Sequence, residues 1–247
     1  MSNATISLMV LALVFGGALT GMFLRAALPQ HHVSDQSKDT VRVGFGLVLT
    51  ITALVLSLLI ASAKSYFDAQ STELTDLSAK TVLLDRVLAH YGPDSKEARD
   101  ELRADVIRAL DQLWSRNRRP VEPSSSAEEI YDKIQELSPQ NDDQRSIRAQ
   151  ALSMVLSLGQ ERWLMYEQSA AAVSKPLLAV MIFWLTIVFV SFGLFAPRNL
   201  TVTAGLFFCS LAVSGAVFMI LEMYSPFTGL IHISSAPLRA ALEILGR

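Results

Sequence analysis

The stretch VGFGLVLTITALVLSLLIASA, residues 43–63, contains no Asp, Glu, Lys or Arg in 21 positions. An α-helix rises about 1.5 Å per residue, so a helix of this length matches the roughly 30 Å hydrocarbon core of a bilayer. Three more uncharged stretches of similar length occupy residues 5–24, 177–196 and 200–221. The sequence therefore predicts an all-α integral membrane protein with four transmembrane helices.

The charged residues are concentrated between the second and third of these stretches. Residues 64–175 hold 15 of the 21 Lys and Arg and 19 of the 23 Asp and Glu. The chain as a whole is 51% hydrophobic, so its apolar residues are concentrated outside this segment. A net charge of −2 gives no global attraction for polyanions, so no nucleic-acid partner is expected. The single cysteine, Cys209, excludes an intramolecular disulfide and a Cys-rich zinc site.

Four regions follow from this segregation. Residues 1–63 form a first transmembrane hairpin, 64–175 a soluble helical stalk domain, 176–222 a second hairpin, and 223–247 a re-entrant turn with an interfacial amphipathic helix. The first span could be a cleaved signal peptide, but it lacks a basic n-region and we expect a retained anchor. Only Pro197, Arg198 and Asn199 join the last two spans, which predicts that they are antiparallel neighbours.

The charged middle is predicted to be helical almost throughout. Two heptad positions after the second span are mostly apolar, which indicates one long helix out of the bilayer: Phe67, Leu74, Thr81 and Leu88, with Gln70, Leu77, Leu84 and Tyr91. Gly92-Pro93 ends that helix and a second one follows. Ser138-Pro139 is an N-cap followed by proline, which predicts that a last helix starts there and continues towards residue 174.

The orientation is inferred from the positive residues near the span ends. With both termini inside, six Lys and Arg lie near cytoplasmic ends, against four for the opposite topology. This count favours a cytoplasmic stalk, and a cysteine placed at Ser125 would test it by labelling with a membrane-impermeant reagent in intact cells.

Several motifs resemble those of a known family. They are RAALP (residues 25–29), YGPDSKEAR (91–99), EMYSPFTGL (222–230) and ISSAPLRAAL (233–242). The chain resembles the bestrophin-like family of bacterial and plant membrane proteins over nearly its whole length. The resemblance implies a four-span helical protein with a helical soluble region, located in a bacterial inner membrane. Its relation to bestrophins, which are oligomeric anion channels, implies a homo-oligomer that conducts chloride or other small anions.

One face of the second span carries small and hydroxyl side chains with a lysine at its end. These pore-lining candidates recur at helical spacing: Gly46, Thr50, Ala53, Ser57, Ala61 and Lys64. Such a face could solvate an anion in a pore built from several copies of the helix, or it could let helices pack closely. Gly17 and Gly21 in the first span form a Gly-x-x-x-Gly pair for helix packing.

The motif after the last span supplies gating or structural candidates: Glu222, Pro226, Phe227 and Gly229. Glu222 is expected either to accept hydrogen bonds from the amides of the following turn or to pair with Arg25 or Arg239. A gating role and a structural role both remain open for these four residues.

Signals for catalysis are weak, so no enzyme, metal site or cofactor is expected. His31 and His32 have no further ligands nearby and are interpreted as loop residues. Arg116, Arg118 and Arg119 form the one basic cluster, which suits either a helix C-terminus or lipid headgroups. No charge lies within any span, so a proton relay has no obvious residue.

Two functional hypotheses follow. The first is an oligomeric channel with an anion pore lined by the second span. The alternative is a non-conducting membrane scaffold or sensor whose heptad-containing stalk mediates protein–protein interaction. In both, the lipid bilayer is a partner.

Overall fold

The structure is a computed structural model that describes residues 2–27, 35–114, 124–170, 175–197 and 199–246. These residues form eight α-helices and a short 3₁₀ turn at Pro93–Ser95. The helices are α1 (Asn3–Ala27), α2 (Asp35–Tyr91), α3 (Lys96–Leu113), α4 (Ser124–Gln135), α5 (Asp142–Ala170), α6 (Lys175–Phe195), α7 (Leu200–Met223) and α8 (Ala236–Ile244). His31, His32 and the cluster Arg116, Arg118 and Arg119 lie outside the described residues.

Four helical segments are long and apolar enough to cross a membrane, as predicted. They are Asn3–Arg25, Val43–Tyr91, Pro176–Phe195 and Leu200–Met223. The second segment is 49 residues long, more than twice what a bilayer core requires, and its uncharged part is residues 43–63.

The chain divides into two compact units. The first comprises Met1–Tyr66 and Ala172–Ser225, and the second comprises Phe67–Ala171 and Pro226–Arg247. Helix α2 contributes to both units as one uninterrupted helix.

Helix α1 organises the first unit by packing against both α6 and α7. Its Gly17 and Gly21 allow a close approach to α6: a Cβ atom at Gly17 would lie 3.1 Å from Thr186 Cγ2, and one at Gly21 would overlap the carbonyl oxygen of Val190. The packing role predicted for this glycine pair is therefore confirmed. The Ser214 hydroxyl of α7 donates to the Ser7 carbonyl of α1 at 2.6 Å and ties the two helices together.

Helices α6 and α7 are predicted to be antiparallel neighbours, but α1 is the main neighbour of each among the described residues. Each of them contacts α1 far more than it contacts the other helix. Small residues on both helices allow the close contact of α1 with α6, because the backbones meet at Gly21 of α1 and at Gly193 of α6.

The second unit is a helical domain with its own apolar core. The predicted heptad positions of α2 are buried here, with Phe67 only partly so. Helix α2 ends at Tyr91 before Gly92, which has a φ of 118°. One face of α3, which includes Ala98, Leu102 and Val106, is also buried in this core. Leu238 and Ala241 of α8 are buried, and α8 packs on α3.

The start predicted for the last helix of this unit is wrong. Helix α5 begins at Asp142 rather than at Ser138-Pro139. The Asn141 side chain accepts a hydrogen bond from the backbone amide of Gln144 at 2.7 Å. Asn141 is therefore the N-cap of α5, three residues after the predicted cap at Ser138. Residues 171–174, where α5 was predicted to continue towards the third span, lie outside the described part of the chain.

Candidate functional site

The membrane part of α2 is the least enclosed of the four spans. Only 11% of its most apolar 18-residue stretch is buried within the chain, against 39%, 33% and 28% for the other three. The buried side of this helix carries Thr52, Leu59 and Ala63. A large part of α2 is therefore not covered by the other described residues of the chain.

All six pore-lining candidates lie on the exposed part of α2. Leu59 faces the unit core, as the helical spacing predicts, while Leu56 is half-buried and Leu49 is exposed. Beyond the adjacent backbone of its own helix, a Cβ atom at Gly46 would meet no described atom within 4 Å. The exposed residues are Gly46, Thr50, Ala53, Ser57, Ala61 and Lys64.

The two hydroxyls of this face are engaged with the helix backbone. Thr50 Oγ1 donates to the Gly46 carbonyl and Ser57 Oγ to the Ala53 carbonyl, each at 2.9 Å. An anion would need the hydroxyl hydrogens, so each hydroxyl would have to rotate away from its carbonyl. The net cost is about 0.5–1.5 kcal/mol per bond, which is small because the carbonyl keeps its helical N–H partner. Among these six residues, Lys64 alone carries a full positive charge.

The end of this segment is anchored to α7 through Tyr224, which the sequence reasoning did not single out. The Ser62 and Tyr224 hydroxyls are 3.2 Å apart, and the rings of Tyr66 and Tyr224 stack with centroids 5.2 Å apart. Ser62 and Tyr66 are one helical turn apart, which is the only sequence signal of this contact.

Glu222 is buried beside the beginning of α1. Its Oε1 accepts a hydrogen bond at 3.0 Å from Asn3 Nδ2, which also lies 3.3 Å from the Leu221 carbonyl and from Ser225 Oγ. Arg25, at the other end of α1, instead donates to the carbonyls of Phe195 and Ala196. The proposed pairing of Glu222 with Arg25 is therefore wrong, because α1 separates them by about 33 Å at 1.5 Å per residue.

The other three tail candidates belong to the second unit. Pro226 and Phe227 are buried, and the Ile233 amide donates to the Pro226 carbonyl at 2.7 Å, which closes a compact loop. Gly229 has a φ of 101°, a conformation that favours glycine. The Phe227 ring packs edge-on against Trp114 with centroids 5.5 Å apart.

Two buried carboxylates of the second unit were missed by the sequence reasoning. Asp85 is fully buried among the heptad residues and accepts from Arg99 Nε at 2.8 Å and from Nη2 at 3.0 Å. The hydrogen bonds to Asp85 raise the pKa of the Arg99 guanidinium. Asp105 is also buried and pairs with Arg162 of α5. These pairs join α2 to α3 and α3 to α5, which is a structural role.

The described residues contain no group of three or more His, Cys, Asp or Glu side chains that could hold a metal ion. The sequence model of the Bestrophin-like domain matches residues 12–238 of the chain. No curated protein and no solved structure matches the chain.

Proposed function

The chain belongs to the bestrophin-like family, and from that premise we propose that it assembles into a homo-oligomeric membrane channel. In this proposal several copies of α2 surround a central pore that conducts chloride or other small anions. The observation that carries it is the face of α2 whose small and hydroxyl side chains are left exposed by the described residues of the chain.

Association through this face would place weakly polar side chains around the pore axis. Leu47, Leu54 and Leu58 are exposed beside it and would supply apolar contacts between adjacent copies. Small residues allow close approach of helices in a bilayer, and hydroxyls with a terminal lysine can solvate anions. Because both hydroxyls already donate to the backbone, Lys64 is the residue we expect to set the preference for anions.

Bilayer recordings test this proposal. Purified protein should give anion currents, and Thr50→Leu should reduce the conductance because a leucine narrows the pore and removes a hydroxyl. The matched control is Thr20→Leu: Thr20 is also exposed and donates to the carbonyl four residues earlier, but it lies on α1. Lys64→Gln should lower the anion-to-cation permeability ratio.

Two results would contradict the channel. One is the absence of currents from protein that is oligomeric in detergent. The other is Thr50→Leu and Thr20→Leu proteins with the same conductance as wild type. In addition, a cysteine introduced at Ala53 in a Cys209→Ser background should cross-link copies of the chain if α2 surrounds the pore.

The alternative is a non-conducting scaffold or sensor. The heptad residues that suggested it are packed inside the second unit, so they do not offer a free seam for a partner. The observation that favours it is a group of exposed large apolar side chains on α5, Leu156, Trp163 and Leu164. Stoichiometric capture of a partner that is lost with Leu156→Ser, by a protein without currents, would support this role.

A further inference from the structure

A cleft of about 410 Å³ lies in the second unit, between the end of α3 and the beginning of α8. It is separate from the residues assigned to conduction. Its walls are formed by Leu110, Asp111, Trp114, Ser235 and Arg239.

Each of the two charged side chains in this cleft lies at the helix end where the helix dipole is unfavourable for its charge. Asp111 lies in the last turn of α3, where the helix dipole is negative, and Arg239 is the fourth residue of α8, where the dipole is positive. Neither side chain forms an ion pair or a hydrogen bond within the described part of the chain. The carboxylate and the carbonyl ends of α3 together attract a cation. The Arg239 guanidinium and the Leu238 amide attract an anion, since Pro237 has no N–H and the Ala236 amide already donates to Ser234 Oγ at 3.2 Å.

The remaining walls suit a ligand that carries both charges. The Trp114 indole is held in place because its Nε1 donates to the Ile233 carbonyl at 2.9 Å and its ring packs edge-on against Phe227. A tryptophan face is the best aromatic partner for an ammonium group. Ser235 precedes α8, yet its hydroxyl makes no capping bond, so it can donate to an anion.

We propose that this cleft binds a small zwitterion with a phosphate at one end and a primary or quaternary ammonium at the other. Arg239, the Ser235 hydroxyl and the Leu238 amide hold the phosphate, as guanidinium groups and backbone amides do in phosphate sites. Asp111 and the face of Trp114 hold the ammonium. Free phosphocholine or phosphoethanolamine and the headgroup of a zwitterionic phospholipid share this chemistry.

Calorimetry on the full chain in a maltoside detergent tests the site. Phosphocholine or phosphoethanolamine should bind at least about 10-fold more tightly than choline or inorganic phosphate alone, because only the zwitterion contacts both poles. Arg239→Gln and Asp111→Asn should each weaken binding by about 10- to 100-fold. The controls Arg86→Gln and Asp76→Asn, at exposed positions of α2, should leave it unchanged.

Thermal unfolding separates a binding role from a structural one. Because each charge opposes its helix dipole, Arg239→Gln and Asp111→Asn should leave the unfolding midpoint unchanged or raise it in the absence of ligand. A lowered midpoint for both variants would indicate that these charges support the fold, and would overturn the proposal.

Nanodiscs identify the source of the ligand. If a zwitterionic phospholipid raises the unfolding midpoint more than an anionic one does, and Arg239→Gln abolishes that difference, the ligand is a lipid headgroup. If the two phospholipids protect the protein equally and the free zwitterion binds in detergent, the ligand is a soluble molecule. No binding in either format overturns the proposal, while the presence or absence of ion currents bears only on the channel.

Discussion

Replacing Gly21 by alanine should separate α1 from α6 and destabilise the membrane unit. A Cβ atom at Gly21 would overlap the Val190 carbonyl oxygen and lie 2.9 Å from the Leu194 amide nitrogen. The obstructing atoms are backbone, so no side-chain rotation can relieve the clash. On the facing helix, a Cβ atom at Gly193 would overlap the Ala18 carbonyl oxygen, so the two backbones touch at both glycines.

The cost follows from how far the helices must move. Restoring normal contact requires a shift on the order of 1 Å, and a gap of that size forfeits up to about half of the dispersion energy between facing atoms. Overpacking of a well-packed core typically costs about 1–3 kcal/mol. We expect a loss near 3 kcal/mol for Gly21→Ala, because the α1–α6 contact is the most extensive in the unit. A loss of that size lowers the folding equilibrium constant by about 100-fold.

The assay is an SDS titration of protein in mixed micelles, followed by tryptophan fluorescence, with Trp184 of α6 as the reporter in the membrane unit. The matched control is Gly16→Ala on the same helix, where a Cβ atom meets nothing within 4 Å. Gly16→Ala should unfold at the wild-type SDS concentration. If Gly21→Ala is as stable as wild type, or if both variants lose the same stability, the backbone contact between α1 and α6 is refuted.

Two further predictions concern the second unit. Asp85→Asn should lower the stability of this unit by about 3 kcal/mol in thermal unfolding, since it leaves the Arg99 guanidinium without its buried carboxylate. The control Lys133→Gln removes ion pairs to exposed carboxylates and should cause no measurable change. Equal effects of the two substitutions would contradict the burial of Asp85. Burial raises the pKa of Tyr91, so the unfolded chain loses this proton at a lower pH than the folded one, and the stability present below about pH 10 is lost as the pH rises further. Tyr91→Phe should therefore make the unfolding midpoint fall less steeply between about pH 9 and pH 11. The midpoint at pH 7 should not be lowered, because the Tyr91 hydroxyl has no hydrogen-bond partner in the described residues. A fall as steep as that of the wild type would refute this prediction.

Helix type and position were largely predictable because the signals are local. The lack of charge over residues 43–63 predicts a span whatever its neighbours are, since no charged side chain would have to be buried in lipid. The heptad spacing from Phe67 to Tyr91 predicted the buried side of α2 because one face of a helix recurs with fixed periodicity. The boundary at Ser138 failed because Asn141 offers a competing cap of similar strength, and local preferences do not choose between them.

The candidate site was predictable only as a face of one helix. Spacing put the residues from Gly46 to Lys64 on one side of α2, but not whether that side is covered by the rest of the chain. Their exposure depends on which helices α1 contacts, and that is a property of the packed unit. The same holds for Glu222, whose partner Asn3 is 219 residues away in the sequence.

The sequence by itself determined the four spans, the charged helical middle and the burial pattern of α2, because bilayer thickness and helical periodicity act on consecutive residues. Only the tertiary structure decided the pairing of distant groups. It placed α1 against α6 and α7, Asp85 against Arg99, and Asp111 in one cleft with Arg239. Those contacts depend on which side chains fit closely across helices, and hydropathy and spacing along one chain carry no information about that fit.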